Sequence, residues 1–389
     1  MKFTDIIYGS LMLAAGVFAG GCSSSSLGEP DEPKIDPSSG NVYLTLNVRP
    51  MESVSSTRAG VYEENDTIGF EIPATQYEKM RSLRVIIVRP DGSVETNRLA
   101  NVGSTHLPDP NDMTFLVKGG EAKRIYLFAN ESSVPYDFSA IAEGSFFPRE
   151  QVEGIELTRV SGKPLYDNNG KPYIPQPGED AKAGSYIPMS EVFDINVKKP
   201  VTDEDLYQTA DMFVTRAAVK FSFEFNAVPD LAVSEFHISS ITVDGISDKE
   251  YLLPRNTVYK PSKYTSTDYT LGGRFITSYS LPSDSQLDEY TFEIPEKSLT
   301  AGSTAQTYIP YIYLPESPER TYKMKIGFKT PESPDAVIYS TYTLPNLPAL
   351  PRNTHVKVSM TMYAPLKIDM QVNIMPYHSV VLKPNFGLD

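Results

Sequence analysis

Val42, Leu44, Leu46 and Val48 alternate with Tyr43, Thr45, Asn47 and Arg49. The same two-residue period returns at Val219, Phe221, Phe223 and Phe225, and again at Leu366, Ile368, Met370, Val372 and Ile374. Successive side chains of a strand point to opposite faces, so each segment predicts a strand with one apolar face that a second layer must cover. The rest of the chain agrees: 24 Tyr and 18 Phe suit a pleated surface, and 32 Pro supply the turns and edges between short strands. The fold class is therefore mostly β, and 389 residues are too many for one ordinary core, which implies two domains.

The N-terminus reads differently. Lys2 opens a short n-region, Ile6 to Phe18 form an apolar stretch too short to span a bilayer permanently, and Ala19-Gly20-Gly21 set small residues before Cys22. This pattern resembles a bacterial lipoprotein signal, with Ala19 standing where such signals usually carry Leu. That resemblance implies cleavage after residue 21 and a lipid on Cys22. Residues 22–40 follow as a Ser- and Pro-rich polar tether with no means of building a core. Cys22 is the single cysteine, so no intramolecular disulfide or thiolate metal cluster is available.

Leu83-Arg84-Val85-Ile86-Ile87-Val88 ahead of Pro90-Asp91-Gly92 predicts a strand entering a turn, with Ser93-Val94-Glu95 returning. Arg124 to Asn130 is a further strand, and Pro148 to Val152 a short helix, since Pro fits a first helical turn. The consecutive carboxylates Asp203, Glu204 and Asp205 suggest a charged break between domains 41–208 and 209–389. Beyond it Phe236-His237-Ile238, Ile241-Thr242-Val243, Tyr308 to Leu314, Tyr322 to Phe328, Val337 to Leu344 and Val356 to Met362 are strand-like. The tail, 366–382, alternates until Pro376-Tyr377-His378 and resumes through Val380 and Leu382.

Catalytic chemistry has no visible apparatus. The four histidines, His106, His237, His355 and His378, lie far apart without paired-ligand spacing, and there is no nucleophile elbow, P-loop or dinucleotide fingerprint. Asp167 to Lys171 departs from a calcium loop at Lys171 and at the missing distal Glu. No metal or cofactor is expected, and the chain reads as a non-enzyme. Acidic residues exceed basic ones, 49 against 35, and the net charge of −14 repels phosphate backbones, so nucleic acid is not an expected partner.

Several short motifs, in order, resemble the fimbrillin family, the subunits of type V pili. They are Val42 to Val48 followed by Arg58-Ala59; Leu83 to Val88 before Asp91-Gly92, then Tyr126-Leu127-Phe128-Ala129-Asn130; Ile187-Pro188-Met189-Ser190; Arg216-Ala217-Ala218-Val219-Lys220; Ile309 to Glu316; and Pro351 to Val358. Together they run from about residue 40 to the C-terminus.

The resemblance implies two tandem transthyretin-like β-sandwich domains and a pilus shaft subunit supporting adhesion and colonisation. In such a subunit an Arg-specific protease cuts between Arg58 and Ala59 and releases the strand carrying Val42, Leu44, Leu46 and Val48. The donor strand of another copy, or of a related pilus subunit, then fills the vacated place. The donor residues are Leu366, Ile368, Met370, Val372, Ile374, Val380 and Leu382, and Cys22 carries the lipid to the outer membrane. Arg49 is a second cleavage candidate, with Pro50 hindering it. The alternatives are an anchor subunit retained in the outer membrane, a tip adhesin, or a glycan-binding surface lipoprotein whose tyrosines stack on sugars.

Overall fold

The structure is a computed structural model that describes residues 37–51, 78–158, 186–229, 235–254, 257–259, 275–278, 281–300, 306–317, 322–330, 333–344, 350, 352–364 and 367–376. Where apolar residues alternate, the chain forms strands and stacks them in two sandwiches.

The first sandwich uses β1 (Asn41–Pro50), β2 (Leu83–Val88), β3 (Val94–Ala100), β4 (Thr114–Lys118), β5 (Glu121–Ala129), β6 (Glu156–Thr158), β7 (Met189–Val197) and β8 (Tyr207–Arg216), with the short helix α1 (Arg149–Glu153) between β5 and β6. Seven of these strands pair in the order β3-β2-β5-β7-β8-β1-β4. The β7–β8 link is only two residue pairs, Met189 with Arg216 and Ser190 with Thr215. The sheet bends at that corner, and β3-β2-β5-β7 faces β8-β1-β4 across a shared core that includes Leu44, Leu46, Val85, Ile87, Phe115, Leu127 and Val214.

The other face of β2 and β5 is also covered. Ile86, Val88, Tyr126 and Phe128 pack with Phe138, Val152, Leu157, Leu252 and Leu253 in a separate cluster. That double burial explains the run Val85-Ile86-Ile87-Val88 in β2: a strand covered on both faces has no solvent side to reserve for polar residues.

The second sandwich holds β9 (Val219–Ala227), β10 (Glu235–Ser247), β11 (Lys249–Tyr251), β12 (Thr257–Tyr259), β13 (Phe275–Ser278), β14 (Leu287–Thr300), β15 (Gln306–Leu314), β16 (Lys323–Thr330), β17 (Ser333–Thr343), β18 (Thr354–Ala364) and β19 (Lys367–Pro376). One sheet runs β14-β10-β16-β17 and the other β15-β9-β18-β19, while β12 and β13 pair separately. Phe221, Phe223, Ile241, Ile326, Val358 and Met360 are among the residues buried between the two sheets.

The expected division at 208/209 falls at the second residue pair of β8, a strand that stays with the first sandwich through Arg216. The acidic run that suggested a linker is instead a capped 3-10 turn, Asp203–Leu206. Asp205 accepts from the backbone N–H of Val201 and Thr202 and from the Thr202 hydroxyl. A carboxylate at that turn satisfies N–H groups the turn leaves open, so the charges launch a strand rather than separate two cores. The crossing to the second sandwich comes at Ala217-Ala218, both fully buried.

Two buried polar clusters tie the sandwiches together. In one, Lys220 of β9 sits 2.9 Å from Glu78, both side chains fully buried, and the Tyr313 hydroxyl donates to the same carboxylate at 2.6 Å. In the other, Arg352 donates to Glu316 at 2.7 Å and to the Leu252 carbonyl at 2.8 Å, with Glu250 at 3.4 Å. Glu250 belongs to β11, which pairs antiparallel with β6 of the first sandwich. Ser190 reinforces the contact by donating to the Leu252 carbonyl at 2.6 Å.

Burial pushes the Glu250 carboxyl up to about 8, opposed by Arg352 and assisted by the charge on Glu316. A carboxyl raised in the folded state contributes stability that is fully present below its unfolded value and is lost as pH climbs through the folded one. The urea midpoint of the wild-type chain should therefore fall between pH 5 and pH 8, and Glu250→Gln, which fixes the neutral form, should flatten that fall. Parallel pH profiles for the two proteins would refute the assignment.

Candidate functional site

β1 is the first strand of the chain's first sandwich, yet it lies inside a sheet. On one side it runs antiparallel to β4, from Asn41 opposite Lys118 to Thr45 opposite Thr114. On the other it runs parallel to β8, from Tyr43 opposite Tyr207 to Pro50 opposite Val214. Its alternation matches that placement: Val42 is fully buried, Leu44, Leu46 and Val48 are at most 5% exposed, and Asn47 and Arg49 face solvent.

Removing this strand would not merely bare an edge. It would leave a slot with two walls, β4 and β8, roughly 9–10 Å apart at ordinary strand spacing, each turning unpaired backbone groups toward the gap. The slot's floor is the apolar core. Burial of four aliphatic side chains at about 1.5–3 kcal/mol each makes an occupant of the right pattern strongly favoured over water.

Polar contacts fix the register of the occupant. The Asn47 amide donates to Asp211 at 2.9 Å, the Thr45 and Thr114 hydroxyls lie 3.1 Å apart, and the rings of Tyr43 and Tyr207 stack at 5.4 Å. The Met51 N–H donates to the Val214 carbonyl at 2.8 Å. Residues of a parallel strand turn their backbone groups alternately to either side, so Pro50 faces away from β8, beyond the end of the β4 pairing. A proline there forfeits no ladder bond.

The strand ends at the junction between the sandwiches. The Met51 carbonyl accepts from Arg216 at 3.2 Å and from the Asn353 amide at 3.1 Å. Arg216 also donates to the Glu78 carbonyl at 3.0 Å and to the Asn353 side-chain oxygen at 3.1 Å. Asn353 occupies the left-handed region at φ 59°, a conformation that Asn tolerates better than most residues. These groups are buried, so each donor depends on its protein acceptor.

β19 belongs to the second sandwich. Among the described residues it is an edge strand, paired antiparallel with β18 so that Ile368, Met370, Val372 and Ile374 stand opposite Met362, Met360, Val358 and Val356. Met370 is partly buried against the second core. Arg49 lies within β1, opposite Phe213, its backbone held in the sheet. Cys22, Arg58, Ala59, Leu366, Val380 and Leu382 lie outside the described residues.

The structure thus brings the four apolar residues of β1 into one slot and sets the C-terminal segment on a separate sheet. Reading the sequence left out Met51, Asp211 and the Arg216–Asn353 clamp as parts of this site. Arg216 and Asn353 fall inside two of the motifs singled out earlier, but nothing local signals that residues 137 positions apart meet on one carbonyl.

No family model matches the sequence, and no curated protein matches it. Solved structures do. A candidate cell adhesion protein from Parabacteroides distasonis is 10% identical over 87% of this chain and 97% of its own, with a TM-score of 0.47. The tip fimbrial protein Mfa3 from Porphyromonas gingivalis, C-terminally truncated, is 13% identical over 86% of this chain and 99% of its own, also with a TM-score of 0.47. A candidate polysaccharide-binding protein from Bacteroides thetaiotaomicron is 10% identical over 89% and 99%, at a TM-score of 0.38.

Leu46→Ala should lower the unfolding free energy of the intact chain by about 2–5 kcal/mol, the usual cost of truncating a buried Leu, and Asn47→Ala by about 1 kcal/mol or less. Urea titration of both variants measures the contrast. Equal losses would mean that β1 is not packed as described.

Proposed function

We propose that this chain is a subunit of a bacterial surface pilus, completed in the assembled filament by a strand from a neighbouring subunit. The observation that carries the reading is the position of β1: an apolar strand at the start of the fold, seated between two partners rather than in the middle of a continuous hairpin. Its departure would create a two-walled acceptor with the same chemistry a donated strand seeks. The role is structural and adhesive, not enzymatic.

The sequence supplies the remaining parts. Residues 52–77 connect β1 to the rest of the first sandwich and contain Arg58-Ala59, a site for an Arg-specific protease. Arg49 is the poorer substrate, because a protease binds extended backbone and the backbone at Arg49 is occupied by β8. Cys22 provides a lipid anchor at the outer membrane before cleavage. Head-to-tail donation does not close on itself and generates a filament. A chain that kept Cys22 and β1 would instead serve as the membrane anchor of such a filament.

The N-terminal residue of the mature surface form distinguishes these roles: Ala59 for a shaft subunit, Cys22 for an anchor. For a shaft subunit, Arg58→Ala should block maturation and fibre formation, and a chain ending before Leu366 should mature without forming fibres. Electron microscopy that finds fibres of normal length from the truncated chain would overturn donation by the C-terminal strand.

A further inference from the structure

β19 repeats β1 position by position. Aligned without a gap, Ile368, Met370, Val372 and Ile374 fall on Val42, Leu44, Leu46 and Val48, and two residues are identical: Asn373 falls on Asn47 and Pro376 on Pro50. Alternation alone explains the four apolar matches. It explains neither the Asn nor the Pro, and both have a use in the slot; the contacts of Tyr43 and Thr45 are not reproduced by Asp369 and Gln371.

Asn47 is the β1 side chain that donates to Asp211 of β8. Pro50 sits where the occupant faces away from β8 after β4 has ended, so a missing N–H costs nothing there. A one-residue slip would turn every apolar side chain of the occupant to solvent, and a two-residue slip would remove the amide from Asp211 and carry the proline into or past the ladder's end.

From this correspondence we infer that β19 of a second copy of this chain enters the slot in one register, with Asn373 donating to Asp211 and Pro376 standing at the place of Pro50. This rests on the proposed donation and adds to it the partner and the register. The exchange has a direction. Among the described residues β19 is an edge strand with one hydrogen-bonded neighbour, β18, whereas between β4 and β8 it would have two. The strands differ most at positions 43 and 49, Tyr43 against Asp369 and Arg49 against Met375. The first position is partly exposed in β1 and the second exposed, and substitution at either leaves the floor of the slot unchanged.

The test uses the full chain carrying Cys22→Ser, cleaved by an Arg-specific protease and incubated with a labelled peptide spanning residues 364–378. With Asp211→Cys in the chain and Asn373→Cys in the peptide, a disulfide should form at about ten times the yield seen with Ala210→Cys or Met212→Cys, whose side chains lie on the opposite face. Asp211 is exposed in the intact fold, so its replacement leaves the core untouched. Independently, Asn373→Ala should weaken peptide binding about threefold to tenfold, and should have no further effect once Asp211 is Ala. Cross-linking centred on Thr209 or Phe213, or additive effects of the two alanines, would overturn the register while leaving donation intact. Failure of the unsubstituted peptide to bind would overturn donation itself, and the register with it.

Discussion

The first sandwich depends on a pairing between residues some 160 positions apart. β1 and β8 run side by side in the same direction, and a parallel pair cannot be made by a hairpin; everything between them has to fold around the contact. β2, β3, β5 and β7 form the facing layer, β4 closes the free side of β1, and β8 then turns the corner into β7. The strand nearest the N-terminus is thus placed last in the logic of the sheet. It is held by partners from distant parts of the chain and attached to its sequential successor only through residues 52–77. A strand so placed can be exchanged for another of like pattern without redrawing the rest of the sandwich.

The second sandwich repeats part of this arrangement. There β9, its first strand, lies between β15, antiparallel to it, and β18, parallel to it. The two sandwiches meet over buried charge: Lys220 with Glu78, and Arg352 with Glu316 and Glu250. Desolvating such groups consumes most of what their attraction returns, so their contribution is to orientation more than to stability. Nearby, His355 is held well below the usual imidazole range by burial and by Lys220, and it shares a 2.7 Å contact with the Ser222 hydroxyl. A neutral ring fits that crowded, positively charged neighbourhood.

Much of the architecture is legible in the sequence because its strands are of the kinds that announce themselves. β1 and β9 alternate cleanly, β2 ends in the apolar run Val85 to Val88, and the turn at Pro90 to Gly92 brings β3 back against β2. α1 runs from Arg149 to Glu153, one residue later than expected, with Pro148 as its N-cap. Other elements are fainter. β14 alternates only over Tyr290, Phe292 and Ile294 before Pro295 interrupts the pattern, and it runs on to Thr300 because β10 offers it a long antiparallel edge. The acidic triplet at 203–205 misleads for another reason: Asp205 is used locally, as a cap, and so the run implies nothing about a gap between domains. In the candidate site the apolar residues of β1 are readable and their partners are not. Periodicity fixes which face of a strand is greasy, and only the folded chain fixes what lies beside it.

The clamp at the end of β1 has a consequence for how an assembly of such chains would behave. The oxygen that Arg216 and Asn353 share is the main-chain carbonyl of Met51, the residue directly after the strand, so it travels with the strand when the chain is cut at Arg58. On the proposed exchange, an empty acceptor would lose in one event its core plug and the oxygen that Arg216 and Asn353 share where the two sandwiches meet. Filling the groove would then bear on the fit between the sandwiches as well as on the core.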